Sequence, residues 1–128
     1  MVKLLKIAVY FYTVFIAFIC LMPMPHIRDA PENSDKVVHI LVYSFFTGLW
    51  FCYFYVLKLK KDNFSTSLIK SCGLAFVYGI IIEILQESLT TSRSGDFKDL
   101  IANSIGILVG VLFIFLAKTQ FRRLKSKF

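Results

Sequence analysis

Four long apolar stretches, separated by short polar ones, organise this sequence. The stretches are residues 7–24, 37–57, 68–88 and 99–117. Each is about as long as the roughly 20 residues that a helix needs to cross a bilayer. Prolines and charged residues fill the connections, as is typical of helix ends. The pattern predicts an all-α bundle of four transmembrane helices in a single membrane domain over residues 1–128, ending in a basic tail at 118–128.

Composition supports a membrane protein. The chain is 57% hydrophobic and only 18% charged, whereas soluble domains average roughly 45–50% apolar and 25% charged residues. The net charge of +7 does not indicate nucleic-acid binding, because the basic residues flank apolar segments and form no stripe with exposed aromatic residues. The predicted partners are therefore membrane lipids.

Lysine and arginine are distributed unequally between the two predicted sides of the membrane. The N-terminus, the second connection and the tail together contain eleven of these residues, and the first and third connections contain four. Because positive charge is retained in the cytoplasm, both termini are predicted to be cytoplasmic. The first and third connections are then predicted to face outward.

The polar residues that accompany the apolar segments all fall on this predicted outer side. On helices two and three they are Asp35, Lys36, His39, Tyr43, Glu83, Gln86 and Glu87. In the third connection and helix four they are Arg93, Asp96, Asp99 and Asn103. A charge at mid-membrane depth costs about 2.5–3.5 kcal/mol on insertion scales, so these groups should face inward and find partners. We expect Arg93 to pair with nearby carboxylates and His39 to reach Glu83 or Asn103.

Helix four carries a stripe of small and polar residues. Asp96, Asp99, Asn103, Gly106 and Gly110 follow spacings of three and four, which place them on one helix face. The two glycines predict a close approach by another helix. A helix of the same chain is the favoured neighbour over a second subunit, and the oligomeric state is left open.

The order and spacing of these residues resemble the VanZ-like family. The resemblance covers Asp35 to Gly110 and is carried by Asp35-Lys36-x-x-His39-x-x-x-Tyr43, then Glu83-x-x-Gln86-Glu87, then Arg93-x-x-Asp96-x-x-Asp99-x-x-x-Asn103-x-x-Gly106-x-x-x-Gly110. It implies a small multi-pass protein of the bacterial cytoplasmic membrane. The founding member of that family is associated with resistance to the glycopeptide teicoplanin.

Three classes of function fit the outer polar residues. The preferred one is a site that binds the head group of a lipid or of a membrane-linked cell-wall precursor, with a role in glycopeptide resistance or envelope homeostasis. The alternatives are an intramembrane enzyme that uses the carboxylates and His39, and a small four-helix exporter. Structural hydrogen bonding between helices is the simplest other explanation for the polar residues. No cofactor is predicted, and no metal, since no dense ligand motif such as His-Glu-x-x-His is present.

Overall fold

A computed structural model describes residues 2–22, 33–58, 62–89 and 97–127 of the chain. The described part is almost entirely helical and contains no strand. Its long helices are α1 (Val2–Leu21), α2 (Ser34–Cys52), α3 (Phe64–Leu89) and α4 (Phe97–Leu116). A π-helical segment, Tyr53–Lys58, continues α2, and a short helix, α5 (Lys118–Ser126), follows α4.

Four of these helices are long and apolar enough to cross a membrane, with the π-helical segment extending the second of them. A helix of 20 residues, such as α1 or α4, is about 30 Å long, which matches the hydrocarbon thickness of a bilayer. Large apolar side chains cover their outward faces, and Phe11, Leu41 and Leu108 are each more than 60% exposed. Such surfaces would be unfavourable in water, but they suit lipid. The predicted four-helix membrane fold is confirmed.

The helices extend beyond the predicted apolar stretches at several ends. Helix α1 begins at Val2 instead of residue 7, and α3 begins at Phe64 instead of residue 68. The tail contains α5, a helix that the sequence analysis does not predict.

Helices α2 and α4 form the most extensive helix pair in the described part of the chain. The backbone of α2 lies directly against the two glycines of α4. A Cβ atom added to Gly106 would lie 2.5 Å from the carbonyl oxygen of Ile40, and one added to Gly110 would lie 2.8 Å from that of Ser44. Both distances are shorter than van der Waals contact. Any larger residue at either position would therefore push the two helices apart.

Helix α1 is held to the others by hydrogen bonds from aromatic side chains. Tyr12 donates to the carbonyl oxygen of Val42 on α2 at 3.1 Å, and Trp50 donates to the hydroxyl of Thr13 at 3.2 Å. At the far end of α1, the Gln86 amide of α3 donates to the carbonyl oxygen of Cys20 at 2.9 Å. Side chains of α1 and of its neighbours thus share the attachment of this helix.

These contacts define two ends of the bundle. The end of α1, the start of α2, the end of α3 and the start of α4 lie together, and we call this the cluster end. The opposite end contains the start of α1, the π-helical segment, the start of α3 and α5. There, the Lys125 ammonium donates to the carbonyl oxygen of Asp62 at 2.6 Å, while the Asp62 carboxylate pairs with Lys70 at 2.7 Å.

Candidate functional site

Polar side chains from three helices meet at the cluster end. They are Lys36 and His39 of α2, Glu83 of α3, and Asp99 and Asn103 of α4, and we call these five residues the polar cluster. As whole residues, backbone included, Glu83, Asp99 and Asn103 are each at least nine-tenths buried. They are positioned by the ends of α2, α3 and α4, on the sides of these helices that face one another.

Lys36 bridges two carboxylates. Its ammonium contacts Asp99 of α4, and it donates to the neighbouring Asp35 at 2.9 Å. The Lys36 side chain is 19% exposed and that of Asp99 12%, whereas that of Asp35 is 60% exposed. Asp35 therefore lies at the rim of the polar cluster, and the Lys36–Asp99 pair joins α2 to α4 inside it.

The contact between His39 and Asn103 determines how the imidazole is protonated. Nδ1 of His39 lies 2.8 Å from Oδ1 of Asn103. An amide oxygen can only accept a hydrogen bond, so Nδ1 carries the proton and donates it. In the neutral ring Nε2 is then the atom with a free lone pair, able to accept a proton or bind a ligand. Asn103 is one of the two partners expected for His39.

His39, Glu83 and Asp99 come close enough to act on the same ligand. One possible ligand atom from each, an imidazole nitrogen and two carboxylate oxygens, lie within 4.8 Å of one another. The three residues come from three different helices. This proximity requires the tertiary packing, so no spacing in the sequence reveals it.

Two polar groups, one in the polar cluster and one on α2 a turn after His39, are buried without a hydrogen-bond partner among the described residues. They are the hydroxyl of Tyr43 and Nδ2 of Asn103. Both side chains border Gly79, where an added Cβ would lie 3.3 Å from Asn103 Nδ2 and 3.3 Å from a ring carbon of Tyr43. A buried donor with no partner costs about 1–3 kcal/mol. The site thus contains hydrogen-bonding capacity that a ligand could use.

The remaining predicted site residues are placed differently. Gln86 is buried but bonds to α1, and Glu87 is exposed at the end of α3. Arg93 and Asp96 lie outside the described residues, so the expected pairing of Arg93 with the carboxylates stays a prediction.

Sequence reasoning missed Gly79. This residue lies four positions before Glu83, which puts both on one face of α3. Its missing side chain leaves room for Tyr43 and Asn103. The spacing Gly79-x-x-x-Glu83 was the signal that could have identified it.

The arrangement can bind a group that offers both charge and hydrogen-bond acceptors. Lys36 and the unbonded donors of Tyr43 and Asn103 suit oxygen atoms of a head group. The two carboxylates suit amines, hydroxyls or a cation. His39 can exchange a proton through Nε2.

Comparison with known proteins identifies the family. The family model VanZ/LLP1 matches residues 9–118, which is most of the chain. No match was found among the curated proteins or among the solved structures. Because the matched region includes all of α2, α3 and α4, most of α1 and the whole polar cluster, this multi-pass membrane protein belongs to the VanZ/LLP1 family.

Proposed function

We propose that this protein binds the polar head group of a membrane lipid, or of a lipid-linked cell-wall precursor, at the polar cluster. The observation that carries the proposal is the burial of oppositely charged and unbonded polar groups together at one end of the bundle. Interhelical hydrogen bonds in membranes average only about 0.6 kcal/mol. Hydrogen bonds of this strength add little to the stability of the bundle, so stabilisation alone does not account for the burial of so many polar groups.

The position of the polar cluster suits a ligand that comes from the membrane interface. Lys36 and His39 lie within the first turns of α2, Asp99 and Asn103 within those of α4, and Glu83 in the last two turns of α3. A head group at the bilayer surface reaches this depth while its tails stay in lipid. With the predicted orientation, the surface concerned is the outer leaflet.

The same distribution disfavours an exporter. In the described helices, Asp, Glu, Lys, Arg and His lie near the helix ends and leave the middle of the bundle apolar. A transport path for a polar substrate needs polar groups across the whole depth. An enzyme would use the same His39 and carboxylates on the same head group, so head-group binding is the step that both remaining interpretations share.

The proposed cellular consequence is tolerance of teicoplanin-type glycopeptides. These drugs carry a lipid tail and act on membrane-linked precursors at the outer leaflet. A precursor whose head group is occupied or altered at the polar cluster would be a poorer target for such a drug.

Binding can be tested with the full-length protein in detergent micelles. The probe is a polyprenyl-diphosphate-linked sugar lipid, and native mass spectrometry measures the fraction of protein that retains it. Lys36→Met should lower that fraction at least about tenfold, because a charge-assisted contact to a phosphate would be lost. Lys70→Met is the matched control, since Lys70 also pairs with an aspartate but at the opposite end of the bundle. Equal retention in both variants would contradict the proposed site.

Drug tolerance gives an independent test in cells. Expression of the parent in a susceptible Gram-positive host should raise teicoplanin tolerance more than vancomycin tolerance. Asp99→Asn should abolish the gain at unchanged protein abundance, and Asp62→Asn, its matched control, should keep it. If a well-expressed Asp99→Asn variant protects as fully as the parent, the polar cluster has no part in resistance.

A further inference from the structure

We infer that His39, Glu83 and Asp99 bind one divalent transition-metal ion, which would link the protein to the phosphate of the bound head group. The link to the phosphate rests on the proposed function. Metal binding itself does not, since it can be measured with no lipid present.

The ligand atoms have the spacing that a metal ion needs after a small adjustment. They lie within 4.8 Å of one another. Atoms that each bind one ion at about 2.1 Å are roughly 3.4 Å apart in tetrahedral geometry. A pair at the 4.8 Å limit would thus have to close by roughly 1.4 Å, a movement on the scale of a side-chain rotation.

The hydrogen bond from His39 to Asn103 prepares the imidazole for coordination. Nδ1 donates to Asn103, which leaves Nε2 as the coordinating nitrogen. Metal-binding histidines almost always use their second nitrogen in this way, and the partner fixes the orientation of the ring. Asn103 is only 2% exposed, so its amide is held firmly beside His39.

A second observation is the unbonded donor of Asn103, the residue that bonds His39. Its Nδ2 is buried and has no hydrogen-bond partner among the described residues. It belongs to the same amide that orients His39. A ligand oxygen that reaches Nδ2, from water or from a phosphate, would accept this hydrogen bond.

The donor set favours a transition metal over calcium. One imidazole nitrogen and two carboxylates are ligands that suit manganese, iron or zinc, whereas calcium takes six to eight oxygen atoms. The ion would also resolve an electrostatic difficulty of the proposed function. Two carboxylates in the polar cluster repel a phosphate, and a divalent cation between them would reverse that repulsion.

The Lys36→Met variant distinguishes metal binding from phosphate binding. The Lys36 ammonium contacts Asp99, and its positive charge opposes a cation at the same carboxylate. Lys36→Met should therefore bind a metal ion at least as tightly as the parent. The same variant should bind the head group more weakly, for the reason given above.

The test uses Mn²⁺ alone as the probe, with full-length protein that has been treated with a chelator and then freed of it. Electron paramagnetic resonance follows the loss of the free Mn²⁺ signal, and we expect saturation at one ion per chain. Asp99→Asn and His39→Gln should weaken binding at least about tenfold, since loss of an outer-shell partner alone typically costs 10–100-fold. Asp62→Asn should bind like the parent. Equal binding by the parent, Asp99→Asn and Asp62→Asn would overturn the inference.

A second readout needs no variant and so does not depend on a variant that folds. Pulsed magnetic resonance of Mn²⁺ bound to the parent should contain the nitrogen coupling of one imidazole. Absence of that coupling would also overturn the inference.

If Mn²⁺ binds as expected but a chelator leaves lipid retention unchanged, the link to the phosphate is wrong while the proposed function stands. If Mn²⁺ binds and no head group does, the proposed function fails and the metal site remains.

Discussion

Gly106 has only a hydrogen atom as its side chain, and this allows α2 and α4 to come into contact. Gly106→Ala would place a methyl group 2.5 Å from the carbonyl oxygen of Ile40, a backbone atom that cannot turn aside. Gly73, in α3, has nothing within 4 Å of an added Cβ and is a matched control. The comparison isolates the effect of close packing from the general effect of replacing a glycine in a helix.

Gly106→Ala should lower the free energy of unfolding by about 1–3 kcal/mol, the usual cost of forcing extra volume into a packed interface. Gly73→Ala should be neutral or stabilising by up to about 1 kcal/mol, because alanine is the better helix former. Thermal unfolding in detergent micelles measures both. Equal effects of the two substitutions would mean that the α2–α4 contact is looser than described here.

Some contacts of the site could be predicted from the sequence, and others could not. Helical spacing places His39 and Asn103 on inward faces, and the two do meet. Which of the neighbours Asp35 and Lys36 faces inward, toward Asp99, depends on how α2 is rotated about its axis. Rotation is set by the contact of Gly106 and Gly110 with α2. The spacing of the two glycines predicts a close approach, but no local pattern encodes the face of α2 that they meet. The meeting of His39, Glu83 and Asp99 likewise requires three packed helices.

Among the elements, α5 binds to the bundle through one amphipathic face. The Phe121 ring packs edge-on against Phe51 at 5.1 Å, and Lys125 lies 4.3 Å from the ring centroid of Tyr55. Arg122 and Arg123 lie on the exposed side of the same helix. The basic residues of α5 thus serve two purposes, since one side contacts the π-helical segment and the other remains available to anionic lipid.

Phe121→Ala should release α5 from the bundle, because the ring contact with Phe51 and the apolar contacts around it are lost. Trypsin should then cleave at Arg122 and Arg123 several-fold faster than in the parent, since cleavage follows local opening. A matched control is Gln120→Ala, at an exposed position of the same helix, which leaves Phe121 and both arginines in place. Unchanged cleavage in Phe121→Ala would contradict the docking of α5.

The residues at which the helices begin and end were predicted less well than the number of membrane-spanning helices. Hydropathy marks the part of a helix that lies in hydrocarbon, whereas the hydrogen-bonded helix continues into the interface, where Lys3, Lys6 and Ser65 are tolerated. The same reason explains why α5 was missed. It is polar on most of its surface and depends on Phe121 and Leu124 for its attachment.

For the whole molecule, the predicted orientation determines which leaflet the polar cluster meets. Single cysteines introduced at Asn33 and at Ser92 should react with a membrane-impermeant thiol reagent in intact cells, and one introduced at Asn63 should not. The reason is the excess of lysine and arginine at the opposite end of the bundle. The parent chain, with its own three cysteines, gives the background. Labelling at Asn63 alone would place the polar cluster on the cytoplasmic side.

Because of the π-helical segment, a change in chain length is tolerated at the end of the second membrane span but not near its start. An α-helix turns about 100° per residue, so a deletion between His39 and Gly48 would rotate His39 away from Asn103. A deletion within Tyr53–Lys58 would instead let the wide i→i+5 turns tighten into regular helix. The change would be absorbed there, beyond the contacts of Gly106 and Gly110 with α2. Homologous chains should therefore differ by single-residue insertions and deletions at this joint, while the count of residues from Lys36 to Trp50 stays constant.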